Sequence, residues 1–435
     1  MTDRSMIITP LESWVSHKIG SARRPLSRVD LEAYQLENLR RTLALVRARS
    51  PFYRSLFSGL PQEIFSLDDL RQFPFTSHED LRYSPLKFVC SSQDEIQRVV
   101  TLQSSGTTGE PKRIYFTAAD QEMTVDFFLH GMSTLVAPGD RVLILLPGKK
   151  PGSVGDLLRI GLERLGAVPL PYGPVYDPQD ALECMHNRQA DCLVGSPTQV
   201  LGLALRWRPG MQKPRSVLLS TDDVPAAIVK TLEHVWGCEV YNHYGATEMG
   251  LGGGVECAAH RGYHLREADL YFEVVNPHTG EPLPDGEYGE VVFTTLTRRG
   301  MPLIRYRMGD RSRFIPGGCP CGTTLKTLEP VRGRFLGFIP VGDETLRLPD
   351  LDEALFAIPG LLNFSVMLFG DELKPSLLVE AQMLTAQDAA GQVEDALRTV
   401  PSLQNLDMIV RSRHAPGETG SLHKRAILDR RGHNP

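Results

Sequence analysis

Five short apolar runs constrain the fold most. They are Arg141-Val142-Leu143-Ile144-Leu145-Leu146, Ala167-Val168-Pro169-Leu170, Cys192-Leu193-Val194-Gly195, Ser216-Val217-Leu218-Leu219-Ser220 and Glu239-Val240-Tyr241. The longest is continuous in its apolarity rather than alternating, as a strand covered on both faces must be. Helical stretches lie between them, one of them near Val154–Leu165. Strands alternating with helices predict parallel βαβ units in an α/β layer. In such sheets ligands bind beyond the carboxyl ends of the strands. Gly106, Gly195, Thr221 and Gly245 each follow a predicted strand, so one shared cleft is expected there.

The rest of the chain flanks this layer. Residues 1–50 read as helical, with Leu36, Leu39, Leu43 and Val46 on one face and Asp30 as a cap. Pro51-Phe52-Tyr53 is expected to end that helix, and Ser66 to start a second capped segment. From about 265 the texture changes. Tyr271–Val275 and Val291–Leu296 read as strands, separated by the turn signals Asn276-Pro277 and Asp285-Gly286. An antiparallel β subdomain at about 265–330 is expected. A boundary near Val331-Arg332-Gly333-Arg334 divides a large N-terminal α/β domain, 1–332, from a small α+β domain, 333–435.

Charge and cysteine usage narrow the function. A formal net charge of -5 argues against nucleic acid as a partner. No apolar run nears the ~20 residues that span a bilayer. The start of the chain leads into no signal-peptide core, and the seven cysteines are an odd number, which argues against a disulfide framework. The cytoplasm is the expected compartment.

Four stretches carry chemistry. The first, Ser104-Ser105-Gly106-Thr107-Thr108-Gly109-Glu110-Pro111-Lys112, follows the apolar run Val99-Val100-Thr101-Leu102. Its glycines permit a close backbone approach, its hydroxyls and N–H groups can cradle phosphate oxygens, and Lys112 adds positive charge. Glu110 after Gly109 rules out the Walker-A pattern. A flexible Ser/Gly turn is the other reading. The second, Tyr244-Gly245-Ala246-Thr247-Glu248, offers a carboxylate of the hard-oxygen kind that magnesium prefers. It also reads as a loop with a capping Thr and a solvated Glu. In the third, Tyr306-Arg307-Met308-Gly309-Asp310, a two-oxygen acceptor suits a vicinal diol, and a plain Gly-Asp turn is the alternative. The fourth joins Cys257, His260, His264, Cys319 and Cys321, N and S donors of the type a closed zinc site uses. Buried free thiols are the alternative there.

In this order the motifs resemble the adenylate-forming enzymes: acyl-CoA synthetases, adenylation domains and luciferases. The Phe52-Tyr53 and Pro74-Phe75-Thr76 region, with Thr294-Thr295-Leu296-Thr297-Arg298 and Met301-Pro302-Leu303-Ile304-Arg305, resembles the phenylacetate-CoA ligase branch, which includes the coenzyme F390 synthetases. The resemblance implies roles. Ser104, Ser105, Gly106, Thr107, Thr108, Gly109 and Lys112 would hold the ATP phosphates. Tyr244, with Gly245 and Ala246, would lie against adenine, Thr247 would contact the α-phosphate, and Glu248 would help hold Mg²⁺. Asp310 would take the ribose hydroxyls, and Thr221, Asp222 and Asp223 would face the adenine. Lys424, in Gly420-Ser421-Leu422-His423-Lys424-Arg425, would bridge the acid and the α-phosphate. Arg334 keeps part of the hinge motif, although Gly333-Arg334-Phe335-Leu336 lacks its Asp. Some relatives carry a Cys, a Gly-x-His and a Cys-x-Cys, which implies Zn²⁺ on Cys257, His264, Cys319 and Cys321, with His260 as the alternative ligand.

The function so implied is ATP-dependent ligation of a carboxylic acid to coenzyme A through an acyl-adenylate. The branch favours an aromatic, phenylacetate-like acid, with its pocket near His243, Tyr244, Gly245 and Ala246. ATP and CoA are the small-molecule partners, and relatives are often homodimers. Two alternatives stay open: an adenylating enzyme with a carrier-protein, amine or cofactor acceptor, and a nucleotide-binding protein that has lost catalysis.

Overall fold

The computed structural model describes residues 7–21, 25–102, 111–371, 375–385, 389–415, 417 and 425–432. Ser104 to Gly109 and Lys424 lie outside the described residues. By contacts the chain forms two units, one of residues 1–134, 150–165 and 243–330, the other of 135–149, 166–242 and 331–435.

The second unit holds the parallel layer. Strand Arg141–Ile144 pairs in parallel with Val168–Pro171 on one side and Cys192–Gly195 on the other; Ser216–Leu219 and then Glu239–Tyr244 extend the sheet. Strands Cys192–Gly195 and Ser216–Leu219 are buried along their whole length, the cause of their unbroken apolar sequences. Helices Pro178–Asn187, Pro197–Ala204 and Ala226–Trp236 cover them. The C-terminal part adds a four-stranded sheet in the order Asp407–His414, Pro375–Met383, Leu361–Gly370, Ile427–Asp429, with helices Leu348–Leu355 and Ala390–Arg398. Its residues Leu351, Phe356 and Phe364 share one apolar core with Leu203, Leu232 and Trp236. Residues 331–435 therefore fall in the same compact unit as the parallel strands.

The first unit starts with helices Pro10–Lys18 and Arg28–Arg49. One local expectation is corrected here. Ser27, not Asp30, caps the longer helix: its hydroxyl accepts from the Asp30 N–H, while the Asp30 carboxylate takes a bond from the Ser27 hydroxyl. The helix ends before Pro51 as expected, and Pro51 is also the first residue of another, Pro51–Leu56, capped by Ser50, because a proline at that position lacks only an N–H that would be unpaired anyway.

Strands Ile96–Leu102 and Lys112–Thr117 form an antiparallel hairpin in which Leu102 faces Lys112. The hairpin brackets the glycine-rich stretch. Helix Ala118–Met132 follows, capped by Thr117 and Asp120. The β subdomain is antiparallel as expected, in the order Leu270–Val275, Gly289–Thr295, Tyr306–Ser312. Its register shifts between Glu290 and Val292 across from Arg311 and Arg307, so residues 308–310 form a bulge. Gly309 has φ +74° there, and its N–H donates to Glu290 Oε1 at 3.0 Å. The expected strand at 239–241 is longer, Glu239–Tyr244, and so carries Tyr244 as its last residue.

Candidate active site

Tyr244 ends its strand, and the chain then turns through Gly245 and Ala246 into a short helical turn, Thr247–Met249. The N–H groups of Met249 and Leu251 both donate to the Ala246 carbonyl, at 3.0 and 2.9 Å. A Cβ on Gly245 would lie 2.3 Å from the Leu251 carbonyl oxygen, so only glycine fits. Gly250 closes the turn with φ +78°. Thr124 donates to its carbonyl at 2.8 Å, and Arg298 donates to the Glu248 carbonyl at 2.7 Å. The turn is thus pinned from two sides, with its side chains directed by a fixed backbone.

Two contacts join motifs that are distant in sequence. The Tyr244 hydroxyl donates to Asp310 Oδ2 at 2.9 Å, and the Tyr244 ring stacks on Tyr263 with centroids 5.5 Å apart. The bulge at 308–310 carries the buried Asp310, consistent with the way bulges redirect a side chain. Separately, Lys112 Nζ makes an ion pair with Glu248 Oε1, and the Tyr306 hydroxyl donates to the same oxygen at 3.3 Å. Lys112 and Glu248 side chains are each 8% exposed, so the pair is desolvated. The charge expected to face phosphate is held in this structure by a carboxylate.

Electrostatics distinguish two further groups. Desolvation pushes the His243 imidazole down to about 4, so it is neutral near pH 7. Its ring lies 6.2 Å from those of Phe127 and Phe128. Desolvation also lowers the Arg298 guanidinium, to about 10, which leaves it charged at neutral pH. It sits 5.0 Å from the Phe116 ring centroid. Asp120 accepts from the N–H groups of Arg299 and Gly300, at 3.0 and 3.1 Å, and so fixes the loop that delivers Arg298. Arg298, Thr124 and Asp120 were not assignable from sequence. Thr297-Arg298 stands out as a motif without a role, and Asp120 looks like an ordinary helix cap, which it also is.

In the second unit, Gly195 ends a buried strand and Thr221 follows another with φ +78°. A β-branched residue rarely adopts that conformation, which marks the loop as strained. Asp222 lies 3.5 Å from Arg425. Arg334 is exposed.

Cys257, His264, Cys319 and Cys321 converge in the first unit, with one donor atom from each within 4.8 Å of the others and all four residues buried. Cys257 Sγ and Cys319 Sγ are 3.7 Å apart, and Cys321 Sγ and His264 Nε2 are 3.5 Å apart. A tetrahedral zinc with ordinary bond lengths requires about 3.8 and 3.5 Å between such donors. The donor set therefore fits. His264 Nδ1 lies 3.3 Å from Thr327 Oγ1, a contact that orients the ring. His260 instead points its Nδ1 toward Glu256, at 3.7 Å, and is not one of the four. Glu12 accepts from Thr323 and from the Thr324 N–H, both at 2.6 Å, and steadies the loop after Cys321.

An α/β fold with a hairpin around a phosphate-loop sequence, and with Tyr-Gly-Ala-Thr-Glu and Arg-Met-Gly-Asp in direct contact, is that of an adenylate-forming enzyme. The comparisons agree. The AMP-binding enzyme family pattern matches residues 65–296. The chain is 33% identical to phenylacetate-coenzyme A ligase of Thermus thermophilus, over 77% of each chain. It is 31% identical to phenylacetate-coenzyme A ligase of Escherichia coli, over 70% of this chain and 71% of that one. The fold matches a 2-hydroxyisobutyryl-CoA ligase in its postadenylation state with TM-score 0.81 at 21% identity, covering 94% of this chain and 91% of that chain. The chain belongs to the AMP-binding enzyme family, on the branch of the AMP-forming acid–CoA ligases. No helix among the described residues is long and apolar enough to cross a membrane.

Proposed function

We propose that this chain joins an aromatic, phenylacetate-like acid to coenzyme A through an acyl-adenylate. One observation carries the reading of the site. Stretches 112, 244–248 and 306–310 meet through Tyr244–Asp310 and Lys112–Glu248, as a nucleotide site built from those motifs requires. The relatives named as phenylacetate-coenzyme A ligases support the acid class.

In the first half-reaction a carboxylate oxygen of the acid attacks the α-phosphorus of ATP, the bond to the bridging oxygen breaks, and pyrophosphate leaves. Tyr244 takes the adenine. Asp310 takes the ribose hydroxyls, with the Tyr244 hydroxyl fixing its carboxylate. Ser104 to Gly109 hold the β- and γ-phosphates, Thr247 contacts the α-phosphate, and Lys424 offsets the charge that grows in the transition state. Glu248 would be the protein ligand for magnesium, which would supply charge neutralisation at the phosphates. Lys112 moves between Glu248 and a phosphate oxygen as the nucleotide arrives. The neutral His243, beside Phe127 and Phe128, suits the wall of an apolar acid pocket. In the second half-reaction the coenzyme A thiol, losing its proton, attacks the acyl carbonyl carbon and AMP leaves. Residues 333–435 act there as a mobile lid.

Zinc on Cys257, His264, Cys319 and Cys321 would be structural, since four protein donors leave no open position. The cytoplasm, where ATP and coenzyme A are available, is the working compartment, and the seven free cysteines accord with it. A non-CoA acceptor is the second reading, favoured by the missing hinge carboxylate after Arg334. Product analysis separates them: acyl-CoA from acid, Mg·ATP and coenzyme A supports the ligase, and acid-dependent pyrophosphate release without a thioester supports the other acceptor.

A further inference from the structure

Helix Ala226–Trp236 begins after Pro225, which provides no side-chain cap. The first N–H groups of a helix need partners from elsewhere. Here Glu353, from helix Leu348–Leu355 in the C-terminal part of the same unit, supplies them. Its carboxylate accepts from the N–H of Ala226 at 2.6 Å and of Ala227 at 3.1 Å. A charged acceptor at that end also meets the positive pole of the helix.

A second contact lies beside it. The Arg425 side chain, 8% exposed, makes a two-pronged ion pair with Asp352, the neighbour of Glu353. The same guanidinium stands 3.5 Å from Asp222, in the strained loop at Thr221, and lies over the rings of Phe356 and Phe364 at 4.9 and 5.5 Å. Arg425 is also next in sequence to Lys424. Two charged residues of the C-terminal part, Glu353 and Arg425, thus grip one short stretch, residues 222–227.

We propose that Glu353 and Arg425 are positioning residues that latch the C-terminal part onto the 222–227 stretch in the arrangement that serves adenylate formation. The proposal rests on the two-step ligase reading above. Asp222 lies in the loop assigned to adenine and Lys424 is assigned to the α-phosphate, so the Arg425–Asp222 contact ties those two functions together. The thioester step, which brings a different co-substrate to the adenylate, has no need of it. Release of the latch then becomes part of the passage between half-reactions.

The test uses full-length protein with Glu353→Ala and Glu353→Gln. Single-turnover acyl-adenylate formation is expected to slow about fivefold in Glu353→Ala, the size of a lost helix cap, and less in Glu353→Gln, which keeps an acceptor oxygen. Thioester formation from preformed acyl-adenylate and coenzyme A should keep the wild-type rate. Equal loss in both steps, or loss in neither, overturns the proposal. Hydrogen exchange gives a readout independent of catalysis. In Glu353→Ala, peptides covering 222–236 and 425–432 should exchange faster together while the rest of the chain is unchanged; unchanged exchange in either peptide contradicts the latch. If the wild-type protein forms no acyl-adenylate, the ligase reading fails on its own, and the exchange result still decides whether the latch exists.

Discussion

The Tyr244 hydroxyl donates to the Asp310 carboxylate at 2.9 Å, across 66 residues of sequence. This bond unites the motif assigned to adenine with the motif assigned to ribose. The carboxylate is buried and already oriented, so the role proposed for it, accepting from the ribose hydroxyls, requires little rearrangement. Asp310→Ala should raise the KM for ATP about tenfold or more, since a hydrogen bond to a charged group contributes about 1.5–3 kcal/mol. Tyr244→Phe removes only the orienting bond and should cost less. Initial rates of pyrophosphate release against ATP concentration check both, and an unchanged KM in Asp310→Ala would remove Asp310 from the ribose site.

The Lys112–Glu248 pair makes a prediction about stability. Both side chains are almost fully out of water, so removing one partner strands a buried charge. Lys112→Met should destabilise the protein by about 3–5 kcal/mol, while Lys112→Met with Glu248→Leu should recover much of that loss. Thermal unfolding of the three proteins tests this. Equal midpoints for the single variant and wild type would mean that the pair is solvated in solution.

His243 predicts a pH dependence. Its folded-state value, about 4, lies below the ordinary 6.5 because burial disfavours the imidazolium. As pH falls below 6.5 the unfolded chain takes up a proton that the folded chain refuses, so stability drops from there down to about pH 4. The slope from this one group is at most about 1.4 kcal/mol per pH unit. His243→Gln should flatten the slope of the unfolding midpoint between pH 6.5 and 4. A slope indifferent to that change places the acid sensitivity elsewhere.

The sulfur cluster predicts metal content. One zinc per chain is expected in purified protein, and Cys319→Ser should lower it together with the thermal midpoint, because a structural zinc contributes its binding energy to the fold. Zinc-free protein, or a Cys319→Ser variant with undiminished zinc, leaves four buried thiol and imidazole groups without a metal role.

Much of this architecture is legible in the sequence. Unbroken apolar runs such as Cys192–Gly195 mark buried parallel strands because no face of them meets water. The helix expected near Val154–Leu165 has those bounds. What could not be read was contact between distant segments. Nothing local in Lys112 indicates Glu248, 136 residues later. Nothing in Glu353 indicates that it caps a helix beginning at Ala226, 127 residues before it. Local caps were misassigned where two polar residues compete, as with Ser27 and Asp30: both take part in one small network, and only geometry tells which accepts from the backbone. Asp310 stands out in its motif, but the bulge that carries it depends on pairing with Gly289–Thr295, a non-local event.

The central claim is that this site makes an acyl-adenylate and passes the acyl group to coenzyme A. The direct test is pyrophosphate release by the purified protein with Mg·ATP and a panel of aryl and short-chain acids, with and without coenzyme A, and with products identified by mass. The expected result is release that depends on a phenylacetate-like acid and yields its coenzyme A thioester when the thiol is present. Acid-dependent release that yields no thioester, or release with no preference for aryl acids, would contradict the account.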